Sequence, residues 1–311
     1  MSIIVFGSLN LDLVVQTHRL PLPGETLLGD RFMSVPGGKG ANQAVAAARL
    51  GIPTTMIGRV GNDDFGQQLR QSLQQAGVDT AGVQVDEATS TGIAAIAVAS
   101  GGENHIIVVP GANAQVSTAE LECLRQHLSS ARLLLLQLEI PMAAAEQAAA
   151  IAHQAGLSVI LDPAPAPAEL SQNLCDYTDI LTPNQTEAAQ LTGITVKDAR
   201  TAEAAAKRLY QRQIQVVIIK MANQGVYCST ASQSFFLPAY PVEVVDTVAA
   251  GDAFNAGLAA ALSQGKSMLE AVYQANAVAA LSVTQAGAQP SLPSVTQLQA
   301  FLDTMPTLHP R

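Results

Sequence analysis

The chain has 311 residues, 48% hydrophobic and 13% charged, which is enough for a large packed core and excludes a disordered chain. A formal net charge of −9 excludes nonspecific adhesion to nucleic acid or anionic membranes as a working mode, although backbone N–H groups can still gather a single phosphate. Three cysteines without a CxxC pair and five histidines without HExxH or other paired spacing exclude a disulfide framework and structural zinc, so any metal would sit on carboxylates or carbonyls.

The chain enters Ile3–Phe6 without a basic leader, and no apolar run is long enough for a bilayer span, so a cytoplasmic location is expected. Ile3–Phe6 reads as the first strand, short and continuously apolar. Asp12–Val35 shows no amphipathic helix pattern and carries turn signals at Pro21, Pro23 and Gly24. A helix is predicted over Ala41–Leu50, a strand over Thr55–Ile57 and a helix over Phe65–Ala76. Ile93–Val109 holds two β-type runs around Gly101 and Gly102, a hairpin signature. Helix Thr118–Leu128, strand Leu133–Leu138, helix Met142–Ala155 and strands Val159–Leu161 and Ile180–Leu181 follow. Helix Ala202–Arg212, strand Val216–Ile219 and helices Ala250–Gln264 and Met268–Val283 complete the series.

Short apolar strands alternating with helices predict a doubly wound, mostly parallel α/β sheet flanked by helices, one domain over residues 1–311. The two stretches that break the rhythm, about residues 12–36 and 92–110, predict a small separate β-sheet serving as a lid or oligomer contact. No internal repeat is present.

Two familiar phosphate loops fail. Gly265-Lys266-Ser267 ends like a Walker A loop, but Ala260 stands where its first glycine is needed and the segment lies between two helices. Gly38-Lys39-Gly40 begins a dinucleotide fingerprint whose third glycine position is Gln43. The strongest local signal is Val244–Phe254, an extended run that passes through small residues directly into a helix. The amides of Ala249, Ala250, Gly251 and Asp252 would point outward at that helix start, where the dipole favours a phosphate. Asp252 is either a base beside this cradle or a residue that caps or charges the first helical turn.

The segment Asp246-Thr247-Val248-Ala249-Ala250-Gly251-Asp252 resembles the DTxGAGD signature of the ribokinase (PfkB) family of sugar and nucleoside kinases, with Ala249 where many members have Gly. Gly37-Gly38-Lys39-Gly40-Ala41-Asn42-Gln43-Ala44 is similar to its second signature. Gly7–Asp12, Pro23–Thr26, Gln137–Glu139, Pro183–Glu187 and Gly287–Ser291 follow the family order, so the resemblance covers about residues 3–303.

That resemblance implies ATP-dependent phosphorylation of a sugar at a primary hydroxyl, O5 of ribose by the wording of the second signature. Other substrates of the fold (deoxyribose, another sugar, a nucleoside) and a non-catalytic sugar-binding protein are the alternatives. It implies Asp252 as catalytic base, with the amides of Ala249, Ala250 and Gly251 as an anion hole. Asn10, Asp12, Gly38, Lys39, Gly40, Ala41, Asn42 and Glu139 match the sugar-contacting set. Taken singly, Asn10 or Asp12 would serve a turn, Lys39 would be solvated, and Asn42 or Glu139 would cap a helix.

Asn184 and Glu187 match the NxxE motif of the Mg²⁺–phosphate shell, though Pro183 also marks an ordinary helix start. Lys220, Asn223 and Gly225 align with the nucleotide-binding turn, in which Ala222 replaces a common Gly, and Asn276 matches a position flanking adenine. Asp246, Val248, Ser282, Gln285, Gly287 and Ser291 match loops that hold a monovalent cation, K⁺; the bland reading is two loops packed together with Asp246 bonded to backbone. The lid sheets of the family often pair into a homodimer, and the apolar run Ile93–Val98 is compatible with that.

Overall fold

The computed structural model describes residues 2–305, 309 and 310. The first third of the chain forms β1 (Ser2–Phe6), β2 (Asn10–Thr17), β3 (Arg31–Gly37), α1 (Lys39–Arg49), β4 (Thr54–Gly61), α2 (Asp64–Gln75), β5 (Asp79–Asp86), β6 (Gly92–Ala99) and β7 (Asn104–Val109). The middle forms α3 (Thr118–His127), β8 (Ala131–Leu136), α4 (Met142–Gln154), β9 (Ser158–Leu161), α5 (Gln172–Asp176), β10 (Ile180–Leu181), α6 (Gln185–Thr192) and α7 (Ala199–Tyr210). The remainder forms β11 (Val216–Lys220), β12 (Gly225–Thr230), β13 (Ser234–Pro238), α8 (Ala250–Ser263), α9 (Met268–Ser282), α10 (Ala288–Ser291) and α11 (Val295–Thr304).

The main sheet runs β13-β12-β11-β10-β9-β8-β1-β4-β5 and is parallel from β11 to β5. β12 and β13 turn it antiparallel at one edge. These two strands and β5 escape the apolar pattern because they lie at or beside the sheet edges, where polar residues such as Asp79, Thr80, Ser229 and Thr230 interrupt the run. The predicted strand over Leu133–Leu138 stops at Leu136, which releases Gln137–Glu139 from the ladder.

Period-two alternation divides the core. Ile3 and Val5 pack toward α1, α2, α8, α9 and α11, whereas Ile4 and Phe6 pack toward α3 to α7. All four side chains are fully buried, and each contributes about 1.5–3 kcal/mol of transfer free energy. α8 is hemmed in on almost every side, so it is built from small residues. A Cβ on Gly257 would meet the Ala275 Cα of α9 at 3.0 Å, and that close packing fixes where the α8 N-terminus emerges.

The second sheet has the order β3-β2-β6-β7, with β2 and β6 parallel and the outer pairs antiparallel. Asn10 and Asp12 project from one face of β2, and Leu13 and Val15 include residues of the other. No helix among the described residues is long and apolar enough to cross a membrane.

Candidate active site

Phe6, Leu136, Leu161, Leu181 and Val217 stand side by side in one register row across the parallel strands. One residue beyond that row come Gly7, Gln137 and Asp162, at the carboxyl ends where open α/β sheets form their binding crevice. Asn184 follows β10 and Lys220 ends β11 on the same rim, joined by an isolated parallel bridge. β2 returns from the rim carrying Asn10 and Asp12.

α1 begins against the turn between β1 and β2, the Ala41 amide donating to the Ser8 carbonyl at 3.0 Å. Gly38 makes this approach possible: its φ is 89°, and a Cβ there would lie 2.5 Å from the Asn10 nitrogen. The first turns of α1 therefore face the first turn of α8. Asn42 Nδ2 donates to Asp252 Oδ2 at 3.0 Å, and Gln43 Nε2 donates to Asp252 Oδ1 at 3.1 Å.

Asp252 is 5% exposed and lies in the first turn of α8, whose N-cap is Ala249. Its carboxylate bonds across to α1 instead of capping its own helix, while its charge still lies in the first turn of α8. Burial pushes its pKa up to about 6; Lys39 and the two amide bonds oppose the rise, and Asp162 adds to it. A carboxylate so placed accepts a proton near neutral pH.

Glu139, Asn42 and Asn10 likewise depart from their helix-cap and turn alternatives. Glu139 accepts from Ser8 Oγ at 2.5 Å and from the Lys39 amide at 3.2 Å, not from the start of α4. Asn42 lies within α1, whose N-cap is Gly38. Lys39 is not solvated among neutral neighbours. Burial lowers its pKa, but the carboxylates of Asp252, Asp162, Glu139 and Glu187 more than reverse this and hold the ammonium above its ordinary range. Asn10 is buried and accepts from Asn113 Nδ2 at 2.8 Å. Asp12 is pushed up to about 7 by burial, then by Glu139 and Asp252.

Beside this polar cluster lies the start of α8. The Ala250 amide closes a turn on the Thr247 carbonyl at 3.3 Å, so it does not point outward as expected. The amides of Ala249, Gly251 and Asp252 have no partner among the described residues. Lys220 reaches over this turn, with Nζ 3.4 Å from where a Gly251 Cβ would be, and donates to Asp162 Oδ1 at 2.9 Å. Three amides without an acceptor and an ammonium therefore lie together at the start of α8, the donor set that an anion requires.

Asn184 and Glu187 form a capping box on α6, so the helix-start reading holds for both. Glu187 also belongs to the crevice: burial raises its pKa, while Lys220 and Lys39 lower it and Asp162 raises it. Ala222 has a φ of 49° in the turn between β11 and β12, with Asn223 exposed and Gly225 buried. Asn276 donates to the Pro238 carbonyl at 2.8 Å, which ties α9 to β13. Asp246 accepts from the Val248 amide at 3.0 Å and from the Gly287 amide at 2.8 Å, so the two loops meet with Asp246 bonded to backbone, as the packing alternative has it. Ser282 and Ser291 donate their hydroxyls to the Ala279 and Ala288 carbonyls, and Gln285 lies exposed after α9.

Residues 1–295 match the family model described as pfkB family carbohydrate kinase. The chain belongs to that family. It is 40% identical to the ribokinase of Haemophilus influenzae over 97% of this chain and 98% of that one. It is 36% identical to a deoxyribokinase of Salmonella typhi over 97% and 99%. The solved structure of Arabidopsis thaliana ribokinase complexed with ribose and ATP superposes with a TM-score of 0.90 at 34% identity, covering 97% of this chain and 98% of that one.

Within this pfkB fold, sequence reasoning passed over Gln43, Asp162, Gln137 and Asn113 as site residues. Gln43 and Gln137 stood inside the motifs without a part assigned to them. Asp162 directly follows a buried strand, which is the position the carboxyl-end rule singles out. Asn113 lies in a short helical turn after β7 and left no signal, yet it bonds both backbone groups of Leu9 and orients Asn10.

Proposed function

We propose that the chain catalyses ATP-dependent phosphorylation of D-ribose at O5, giving ribose 5-phosphate and ADP. The observation that carries this reading is the buried Asp252 carboxylate, held by α1 amides beside the open start of α8 and facing a polyol-suited cluster. Asn10, Asp12, Lys39, Asn42 and Glu139 supply the acceptors and donors that several sugar hydroxyls require, and the backbone of Gly38, Gly40 and Ala41 brings α1 up to the ring. Asp252 takes the O5 proton as O5 bonds the γ-phosphorus and the bond to the ADP oxygen breaks. The amides of Ala249, Gly251 and Asp252, with Lys220, receive the charge on the transferring group.

Asn223, Gly225 and Asn276 border the nucleotide side. Asn184 and Glu187 suit a Mg²⁺–phosphate shell. Glu187 retains lone pairs beyond its capping bonds, and no group of three His, Cys, Asp or Glu side chains able to hold a metal exists among the described residues. That chemistry fits an ion kept largely by waters and substrate phosphates, where it would neutralise phosphate charge. One carboxylate, Asp246, among neutral oxygens of Val248, Ser282, Gln285, Gly287 and Ser291 suits K⁺, which would stiffen the loop leading to Asp252.

The small sheet works as a lid over the sugar and pairs two chains into a homodimer, in the cytoplasm where ATP is supplied. Closure would exclude water from the transferring phosphoryl group. The 36% identity to a deoxyribokinase favours 2-deoxyribose as the second reading.

The test compares kcat/KM for ribose, 2-deoxyribose and fructose with ATP, in wild type and Asp252→Asn. Ribose should lead. The variant should lose kcat by about 100-fold or more while its ribose Kd stays within about tenfold. Near-normal turnover of a folded Asp252→Asn protein would remove Asp252 as base.

A further inference from the structure

A buried polar network links the proposed base to Asp162, Gln137 and Lys220. Gln43 is fully buried, and its single amide NH₂ group serves two carboxylates at once: Asp252 Oδ1 at 3.1 Å and Asp162 Oδ2 at 3.2 Å. Its orientation is dictated by its neighbours. Gln43 Oε1 accepts from Gln137 Nε2 at 2.7 Å, and a flipped amide would set an oxygen against two carboxylates. Gln137 is itself fully buried, and Gly7 leaves it room, since a Cβ there would fall 2.0 Å from Gln137 Oε1. The far oxygen of Asp162, a residue only 2% exposed, holds Lys220 Nζ at 2.9 Å over the first turn of α8.

We propose that Gln43 and Asp162 are positioning residues, a buried strap that ties the Asp252 carboxylate to the Lys220 ammonium and sets both for phosphoryl transfer. This rests on the reading of Asp252 as base and Lys220 as phosphate ligand. Neither strap residue need touch a substrate. Gln43 and Asn42 each satisfy one oxygen of Asp252, and each oxygen keeps a further lone pair that could accept the attacking hydroxyl's proton. Asp162 keeps a long, rotatable lysine in one place, so less freedom is lost when phosphate arrives.

The groups that face Asp252 are Lys39, Asn42 and Gln43 from α1, Asp162 after β9, Asp12 from β2, and Lys220 through Asp162. The two strap residues act on it with opposite sign. The Gln43 amide stabilises the ionised base, whereas the Asp162 charge disfavours it.

The experiment measures kcat/KM against pH for ribose phosphorylation in wild type, Gln43→Met and Asp162→Asn, with circular dichroism and melting curves to establish folding. Gln43→Met should move the acid limb upward by about one pH unit, the worth of one bond to a charged group. Asp162→Asn should move it downward and raise the KM for ATP by about tenfold as Lys220 loses its anchor. A merely structural strap would lower the rate in both and leave the limb where wild type has it. Unmoved limbs, or displacement in the same direction, overturn the proposal. Should Gln43→Met not fold, the isosteric Asp162→Asn decides by itself, through the downward limb and the ATP KM. Wild-type turnover in the same assay separates the two levels. Active wild type with unmoved limbs refutes only the strap, and inactive wild type refutes the activity and the strap together.

Discussion

Ala249 and Ala222 show how one atom position carries cost in this chain. Their φ values are 60° and 49°, in the left-handed region where an L side chain costs about 1–2 kcal/mol. Both stand where the family commonly has glycine, so each loop keeps its shape because the surrounding structure over-determines it. Buried carboxylates impose a second cost, and it varies with pH. Asp12 rises from an ordinary 3.8 to about 7, chiefly by burial and then through Glu139 and Asp252. An acid whose folded pKa is raised contributes stability that is complete below about pH 4 and is lost as pH climbs through 7. Asp12→Asn should therefore melt higher than wild type at pH 8, with the difference shrinking toward pH 4.5. Equal differences at both pH values would show that Asp12 is not desolvated in the free protein.

Loop meets loop at Asp246, whose two carboxylate oxygens hold Val248 and Gly287 together just before α8 starts. The backbone of β13–α8 and of α9–α10 is joined further by Val245 and Asp246 amides on the Val283 carbonyl, at 2.8 and 3.2 Å. An ion seated there would act on the amides of Ala249 and Gly251 through the intervening chain. KCl should raise kcat over NaCl and choline chloride at constant ionic strength and fixed free Mg²⁺. Asp246→Ala should blunt that response and lower the rate by about tenfold even in saturating K⁺. Identical wild-type rates in the three salts would take the cation out of the reading and leave the kinase activity standing.

At the scale of the whole molecule, the small sheet presents apolar residues that stand exposed among the described residues. Val15, Phe32, Ile107 and Val109 share one face by register, with Phe32 64% and Ile107 67% exposed. β7 ends the sheet as an open edge, every residue of it exposed. The homodimer proposed above would cover such a patch. The chain should sediment as a dimer, and Ile107→Asp should yield monomers that still fold, because that side chain contributes little to the core. A monomeric wild type at micromolar concentration would assign the patch to lid movement alone.

Order and type of the central elements were legible because strands buried on both faces show as continuous apolar runs, and helices as 3.6-period stretches between them. The family was legible too, because the motifs flank strand ends and helix starts where backbone geometry restricts the choice of residue. The edge strands β5 and β13 and the adjoining β12 were not, since polar residues interrupt the apolar run at and beside the sheet edges. The couplings within the site also depended on tertiary structure. Gln43 reads as one more polar residue on a helix until α1 and α8 cross and set its amide between Asp252 and Asp162, 209 and 119 residues away. Local sequence determines which residues end each strand; only the register of parallel neighbours, formed over long separations, decides which of those ends meet.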